Sequence, residues 1–497
     1  MLKCFQSSIS VLFASFLLPL SHSSAQAQAV LADYKTKEFK IGVISTGRQP
    51  KGMEVTPDGQ KLFVANLMGQ LVDGSYRASV DVVDMTSLKR INTILTPTNP
   101  RIGPVGIIGN AEVAIPKDGE FVLVSRTEGK KEAEVYNQAL LNVIDPRTEK
   151  LVTYVPLASA GAKIIAIRPD PNPRNAVAYI TNWFSEDISV VSLGKIYQHL
   201  ENRDPQAAPM LLPSALIKKI SMRSAWPNPQ KESRRQEGDT RELDQFKLAP
   251  RGVAFTADGR YALAVGYASG TLFVLDGQTH KVIAETEPVP DEVDGEKING
   301  ALNLRHIIIS HDGQTAYLSH MRGDAVSAID IPSLLREIPS QRKANEVALL
   351  KDGVWNRILK TWGRSNKTFI RVNDFPSEMR GMRNYKGAVA RYSRAEPNTI
   401  ILDPSNRYLI VSCRASDRDT KGYIVHQYGK VDIIDTFTGQ LVISLVGGLA
   451  PTALATSKDG RVLVSSGFED QTLHFYNLEK ILNLYEERLS RLNSRMN

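Results

Sequence analysis

The sequence predicts an all-β fold, a seven-bladed β-propeller, because one short pattern recurs seven times along the chain. Each copy is an apolar run, a tight turn and a second apolar run, clearest at residues 52–66 and 252–266. Apolar runs flanking Asp-Gly are typical of β-hairpins, since the turn needs positive φ. The turns start at Asp58, Asp118, Asp170, Asp258, Asp312, Ser405 and Asp459.

A third apolar run ending in aspartate follows most copies and completes the blade pattern. The runs end at Asp84, Asp145, Asp276, Asp330 and Asp435. We expect these carboxylates to accept hydrogen bonds from the turn that follows, a structural role. A fourth run is legible at residues 281–284 and 440–444. Four antiparallel strands per unit and seven units predict the propeller.

The two ends of the propeller, predicted over residues 39–477, explain how it closes. The seventh unit has three strands, and residues 478–497 then carry apolar side chains at helical spacing, which predicts a short C-terminal helix. The unassigned strand at residues 39–44 precedes the first unit. We expect this N-terminal strand to complete the last blade, because that pairing removes two open sheet edges.

Residues 1–29 have the pattern of a signal peptide. Lys3 precedes an apolar stretch at residues 9–20, and residues 25–29 offer small residues for cleavage. The stretch is shorter than the about 20 residues that span a membrane, so no transmembrane segment is expected after cleavage. Cys413 is then the last cysteine left, which excludes an intramolecular disulfide. The sequence predicts an exported protein, periplasmic or secreted, in a bacterium.

Two insertions, residues 197–248 and 332–396, interrupt the repeats, with smaller extensions at 67–78, 128–139 and 415–429. Such insertions are predicted to be surface loops that either recognise a partner or cover exposed strand edges. The net charge is +8, and the second insertion is markedly basic with interleaved aromatics. Nucleic acid is an unlikely partner for an exported chain, so an anionic molecule or an acidic partner is favoured.

The repeat also predicts which residues surround the channel mouth. Seven residues before each turn, where the innermost strand starts, stand Lys51, Ala111, Lys163, Arg251, Arg305, Asn398 and Thr452. Four of these seven are cationic, and a ring of cations at a channel mouth favours an anionic ligand. Alternatively, the cations pair with neighbouring carboxylates such as Glu112 and only fill the mouth.

The fifth unit adds two histidines, since His306 and His320 are expected at the same end of their hairpin as Arg305. We therefore include both in the candidate ligand-binding set with the four cations. Histidine as a residue type has an unperturbed pKa suited to general-base work, which makes His306 a candidate catalytic residue. Together with Cys413 the histidines lack any standard metal-ligand spacing, so no metal is predicted. Without Cys-x-x-Cys-His no c-type haem is expected, and no cofactor is predicted.

The sequence Ala178-Tyr-Ile-Thr-Asn182 differs by one residue from the signature of YVTN-type β-propeller repeats, which nearly the whole mature chain resembles. The resemblance implies a propeller whose wider relatives include lactonase-like propellers and propeller subunits of quinoprotein and copper oxidoreductases. The pair Arg305-His306 resembles a lactonase-like motif that lines a proposed active site, although Leu304 replaces the usual proline. Glu112 and Arg251 are the nearest candidates for the remaining residues of that site.

These observations predict a non-catalytic binding or scaffold protein that recognises an anionic small molecule or a partner protein at its channel mouth and insertion loops. The alternative is a lactonase-like hydrolase with His306, Arg305 and Glu112 as candidate catalytic residues. A further alternative is a propeller subunit of a redox enzyme complex.

Overall fold

The computed structural model describes residues 29–496, except 73–74, 97–108, 128–138, 225–247, 289–291, 294–295, 298–302, 322, 342–345, 351–368, 372–376, 380–381, 384–394 and 419–423. Seven sheets of four or five strands form the seven predicted blades, which confirms the propeller.

The strands of each blade, from the channel outward, have the following bounds. Blade one contains Arg48–Val55, Lys61–Val72, Ser75–Asp84 and Lys89–Leu95. Blade two contains Gly109–Ala114, Val122–Thr127, Leu140–Asp145, Lys150–Pro156 and Met210–Leu211. Blade three contains Ala162–Ile167, Val177–Asn182, Asp187–Ser192 and Leu216–Ser221. Blade four contains Pro250–Phe255, Tyr261–Gly266, Leu272–Asp276, Lys281–Thr286 and Ala348–Leu350.

The remaining blades follow the same order. Blade five contains Leu304–Ile309, Thr315–His320, Ala325–Asp330 and Phe369–Arg371. Blade six contains Pro397–Leu402, Tyr408–Cys413, Tyr428–Asp435 and Leu441–Leu449. Blade seven contains Pro451–Thr456, Val462–Gly467, Thr472–Asn477 and Lys40–Ser45. Two small hairpins add Glu292–Val293 with Glu296–Lys297, and Ser416–Arg418 with Ile424–His426. The helices are α1 (Leu193–Asn202), α2 (Ile331–Gln341) and α3 (Leu478–Met496), with 3₁₀ turns at Thr36–Glu38, Pro173–Asn175, Pro213–Ala215 and Ser377–Met379.

The closing strand lies where the sequence predicts it. Lys40–Ser45 pairs antiparallel with Thr472–Asn477, and α3 follows directly. Leu478, Ile481 and Tyr485 of α3 are fully buried in one apolar cluster with side chains of blade six. Helix and closing strand therefore fasten the two ends of the chain to the last two blades.

The two large insertions are not only loops. The described part of the first supplies Met210–Leu211 of blade two and Leu216–Ser221 of blade three. The second supplies Ala348–Leu350 of blade four and Phe369–Arg371 of blade five. The interpretation of both insertions as surface loops is incomplete, because their described parts add outer strands to four blades.

The cores lie between neighbouring blades, because each sheet packs on both faces. Phe63 and Val80 of blade one, for example, share a cluster with Val113 and Val124 of blade two. The Asp-Gly turns have the predicted left-handed glycine, with φ of 77° at Gly59. The third-strand aspartates accept backbone N–H groups as predicted, as in the 2.9 Å bond from Gln278 N to Asp276. These contacts recur from blade to blade and stabilise the turns between strands.

The predicted signal peptide lies almost entirely outside the described residues, so it stays a prediction. Among the described helices none is long and apolar enough to cross a membrane.

Candidate functional site

Irregular backbone at the start of the innermost strands shapes the channel mouth. The residue before or at the start of these strands has a left-handed backbone, with φ between 50° and 80° at Gln49, Ala249, Asn303, Glu396 and Ala450. The pairing with the second strand then shifts register, as between Pro250 and Val253 of blade four. Such a bulge re-aims the side chains inside it. Arg251 and Arg305 both lie in bulges of this kind.

The structure brings the four predicted cations together. Lys51, Lys163, Arg251 and Arg305 come from four different blades, yet Lys51 lies within electrostatic reach of the other three. Arg414, which follows the second strand of blade six, also belongs to this group. Four of the five side chains are nearly inaccessible to solvent, with exposures of 3% to 8%, and Lys51 is partly exposed. We call these five residues the cation ring.

Two aromatic side chains contact four of the five cations. The ring of Trp183 lies 5.2 Å from Lys163 Nζ and 5.0 Å from the guanidinium of Arg251. On the other side of the site, the ring of Phe468 lies 5.2 Å from Lys51 Nζ and 5.1 Å from the guanidinium of Arg414. Cation–π contacts partly replace the lost hydration of buried cations.

Burial and mutual repulsion weaken the basicity of the cation ring. Loss of water and the neighbouring cations hold the pKa values of Lys51 and Lys163 well below their usual range. Burial likewise lowers the pKa of Arg251 to about 10. Both causes disfavour the charged form. A bound anion would offset the repulsion between the neighbouring cations.

Glu112 is the predicted carboxylate beside the cation ring. Burial raises its pKa to about 8, although Lys51 and Arg251 oppose that rise. Gly52 makes room for it, since a Cβ at position 52 would lie 2.4 Å from Glu112 Oε1. Glu54 lies two residues after Gly52 on the innermost strand of blade one, and burial raises its pKa to about 7. At neutral pH Glu112 is therefore mostly protonated and offsets little of the positive charge.

Two nitrogen atoms of Arg251 and Arg305 have no hydrogen-bond partner among the described residues. These are Nη1 of Arg251 and Nε of Arg305. Arg305 Nη1 contacts the thioether sulfur of Met321 at 2.8 Å, a weak acceptor. Lys163 Nζ donates to Thr127 Oγ1 at 3.1 Å. Buried guanidinium groups normally form several strong hydrogen bonds, so these donors are available to a ligand.

The two histidines have different surroundings. His306 adjoins Arg251 and Arg305, and burial with these cations lowers its pKa to about 4. Its Nδ1 atom has no hydrogen-bond partner among the described residues. His320 is fully buried, and its Nε2 atom lies 2.8 Å from Ser327 Oγ on the adjacent strand. A binding role for His320 is not supported by this contact, which is structural.

Cys413 is buried, and its sulfur lies 3.9 Å from Asp432. Across the described part of the chain, no group of three or more His, Cys, Asp or Glu side chains is arranged to hold a metal ion.

Long connections rise from the same end of the propeller as the cation ring. Each second strand ends, and each third strand begins, beside the mouth, as the pairing of His320 with Leu304 and Ala325 shows. In blade one this hairpin extends beyond Asn66, and in blade six it carries Ser416–Arg418. Residues 128–138 of the predicted extension 128–139 lie outside the described residues, and so do most of the basic residues at positions 351–396. The described hairpins of blades one and six therefore extend from the mouth end of their blades.

Sequence reasoning missed Arg414, Trp183 and Phe468. All three occupy one repeat position, the residue after the second strand, where other blades place Tyr267 and Met321. Counting forward from the second strand would have revealed this layer.

The comparisons with known proteins support the fold and little more. No protein-family model matches the chain, so the resemblance to YVTN-type repeats stays a prediction. The antigen Lp49 of Leptospira interrogans is 23% identical over 438 residues, which cover 88% of this chain and 69% of that protein.

Two solved structures share the architecture. The β-propeller domain of Cps50 (Swd1) from Myceliophteria thermophila has a TM-score of 0.51 at 12% identity, covering 88% of this chain and 99% of that one. A chain of the mitotic checkpoint complex has a TM-score of 0.51 at 10% identity, covering 94% and 98%. At such identities the likeness shows the fold alone.

Proposed function

We propose that this protein is a β-propeller binding protein that holds an anion at its channel mouth. The observation that carries the proposal is the cation ring, in which five cations from five blades are brought together. Like charges repel at short range, and an anion relieves that repulsion. The donors of Arg251 and Arg305 without a described partner are the groups that would bind it.

Thermal unfolding in sulfate tests the proposal. Binding to the folded state alone stabilises a protein by about 2.7 kcal/mol at a hundredfold excess over Kd. We expect sulfate to raise the Tm of the wild type and the double variant Arg251→Gln/Arg305→Gln to lose most of that rise. The matched control is Arg147→Gln/Arg491→Gln, which removes two guanidinium groups that are 77% and 78% exposed. Equal sulfate shifts in all three proteins would contradict the proposal.

Export is part of the same proposal. It rests on the pattern of residues 1–29, with Lys3 before an apolar stretch and small residues at 25–29. Cell fractionation and N-terminal sequencing of the mature protein test it. A cytoplasmic protein that retains Met1 would refute the signal peptide.

The hydrolase alternative has one observation in its favour, the free Nδ1 atom of His306 beside Arg305 among the described residues. A pKa of about 4 makes this imidazole a weak base at neutral pH, which argues against general-base catalysis. We therefore expect no hydrolysis of aldonolactones by the purified protein. Turnover that is abolished by His306→Ala would establish the alternative instead.

A further inference from the structure

Glu396 and Asn303 are buried polar residues at the mouth that the proposed anion site does not use. Their exposures are 5% and 1%. Among the described residues, Glu396 Oε2 and both polar atoms of the Asn303 amide lack a hydrogen-bond partner. A buried polar atom without a partner is costly and rare in folded proteins.

The two residues hold equivalent places in neighbouring blades. Each has a left-handed backbone and stands next to the first residue of its innermost strand, with φ of 53° at Glu396 and 80° at Asn303. Each backbone carbonyl accepts the N–H of the residue after the second strand, Arg414 in one blade and Met321 in the other, at 3.1 Å. The equivalence places both at the rim of the cation ring.

The carboxylate of Glu396 faces this site. It is in electrostatic contact with Arg305 and with Arg414, whose pKa values it acts to raise. A bare inorganic anion such as sulfate offers only acceptors, so it would leave Glu396 Oε2 unpaired and be repelled by it. A ligand that carries both acceptors and a donor would satisfy the arginines and Glu396 together.

We infer that the ligand is an organic anion with a hydrogen-bond donor, a hydroxyl or an ammonium group, next to its carboxylate, and that Glu396 binds this donor. The inference rests on the proposed anion site and specifies the class of ligand. The carboxylates of the ligand bind Arg251 and Arg305, and its donor points to Glu396 Oε2.

Three dicarboxylates of equal chain length test it, because they differ at one substituent. Succinate has no donor, malate has a hydroxyl and aspartate has an ammonium group. By isothermal titration at pH 7 we expect malate or aspartate to bind the wild type about tenfold more tightly than succinate, since hydrogen bonds to a charged group are strong.

The variant Glu396→Gln separates recognition from a structural role. It should weaken the binding of the preferred acid and strengthen that of succinate, because the repulsion from the carboxylate is gone. If the donor is an ammonium group, the loss is larger for aspartate than for malate, since a Gln amide oxygen still accepts from a hydroxyl. Glu396→Asp, which keeps the charge but shortens the side chain, should also reduce the preference. Glu487→Gln, at a carboxylate that is 61% exposed, is the matched control.

The outcomes distinguish this inference from the proposed function. Equal affinity for the three acids in the wild type, or an equal loss for all three in Glu396→Gln, would overturn the inference. It is overturned as well if sulfate raises the Tm and none of the acids binds. If neither sulfate nor any acid binds, the anion site itself is refuted.

Discussion

Among single residues, Glu112 and the two lysines make the charge of the mouth depend on pH. The pKa of Glu112 is about 8, above its ordinary value, so this carboxyl is neutral at pH 7 and becomes negative above pH 8. The pKa values of Lys51 and Lys163 are lowered, so these ammonium groups lose their charge as the pH rises. Both changes make the mouth less positive with increasing pH. Anion binding should therefore weaken in alkaline solution.

We expect the Kd for sulfate, a dianion throughout this range, to rise about tenfold between pH 7.5 and 9, the effect of one nearby charge. Glu112→Gln should show a smaller rise, because it removes the carboxyl that becomes negative in this interval. Glu54 has a pKa of about 7 and titrates below this interval, and that of His306 is about 4. Titrations at four pH values measure the effect. An identical rise in the variant would exclude Glu112 as its source.

The repeat register made the cation ring predictable, since equivalent positions of a propeller lie at equivalent places. Four of its members, including Arg251 and Arg305, follow from counting back seven residues from each turn. The direction of the His320 ring did not follow, because alternation in the strand does not reveal that its Nε2 atom reaches Ser327. Glu396 was missed because it precedes the repeat, where only the left-handed backbone reveals its role.

Among the strands and their connections, a buried aspartate joins the closing segment to blade one. The carboxylate of Asp81 accepts from Gly47 N at 2.8 Å, from Asn66 Nδ2 at 3.0 Å and from Thr93 Oγ1 at 2.7 Å. Gly47 lies two residues after the end of the closing strand, so this carboxylate links blade seven to blade one. Asp187 of blade three accepts from Asn182 Nδ2 in a similar way.

We expect Asp81→Ala to lower the free energy of unfolding by about 2–4 kcal/mol, because several buried donors lose their acceptor. The control is Asp84→Ala, whose carboxylate bonds only the local turn at Ser87 in the contacts described, and which should cost about 1 kcal/mol or less. Urea unfolding of both variants measures the difference. Equal losses would show that the link between blades adds no stability.

The short outer strands were the elements that sequence reasoning could not place. Phe369–Arg371 of blade five has three residues, too few to show the alternation of a strand. Ala348–Leu350 pairs in parallel with blade four, although it lies in the insertion after blade five's third strand. Long-range pairing of this kind depends on the three-dimensional packing of blades, whereas the long inner strands show their pattern locally.

For the whole molecule, closure of the propeller is a condition for the proposed anion site. Phe468 of blade seven contacts Lys51 of blade one and Arg414 of blade six, so the site spans the point where the ends of the chain meet. The closing strand pairs with Thr472–Asn477, the strand that follows Phe468 in the same blade. Loss of that strand would expose a sheet edge and loosen one wall of the site.

A chain that starts at residue 47 should therefore lose both stability and anion binding. We expect its Tm to fall by about 10 °C or more, and the exposed edge of Thr472–Asn477 to promote self-association. Sulfate should no longer raise the Tm, because Phe468 and Lys51 are no longer held together. The control removes residues 491–497. These residues follow Leu489, the last side chain of α3 that packs against the apolar cluster. Light scattering and thermal unfolding test both chains, and a monomeric truncated chain with an unchanged sulfate response would disprove the dependence of the site on closure.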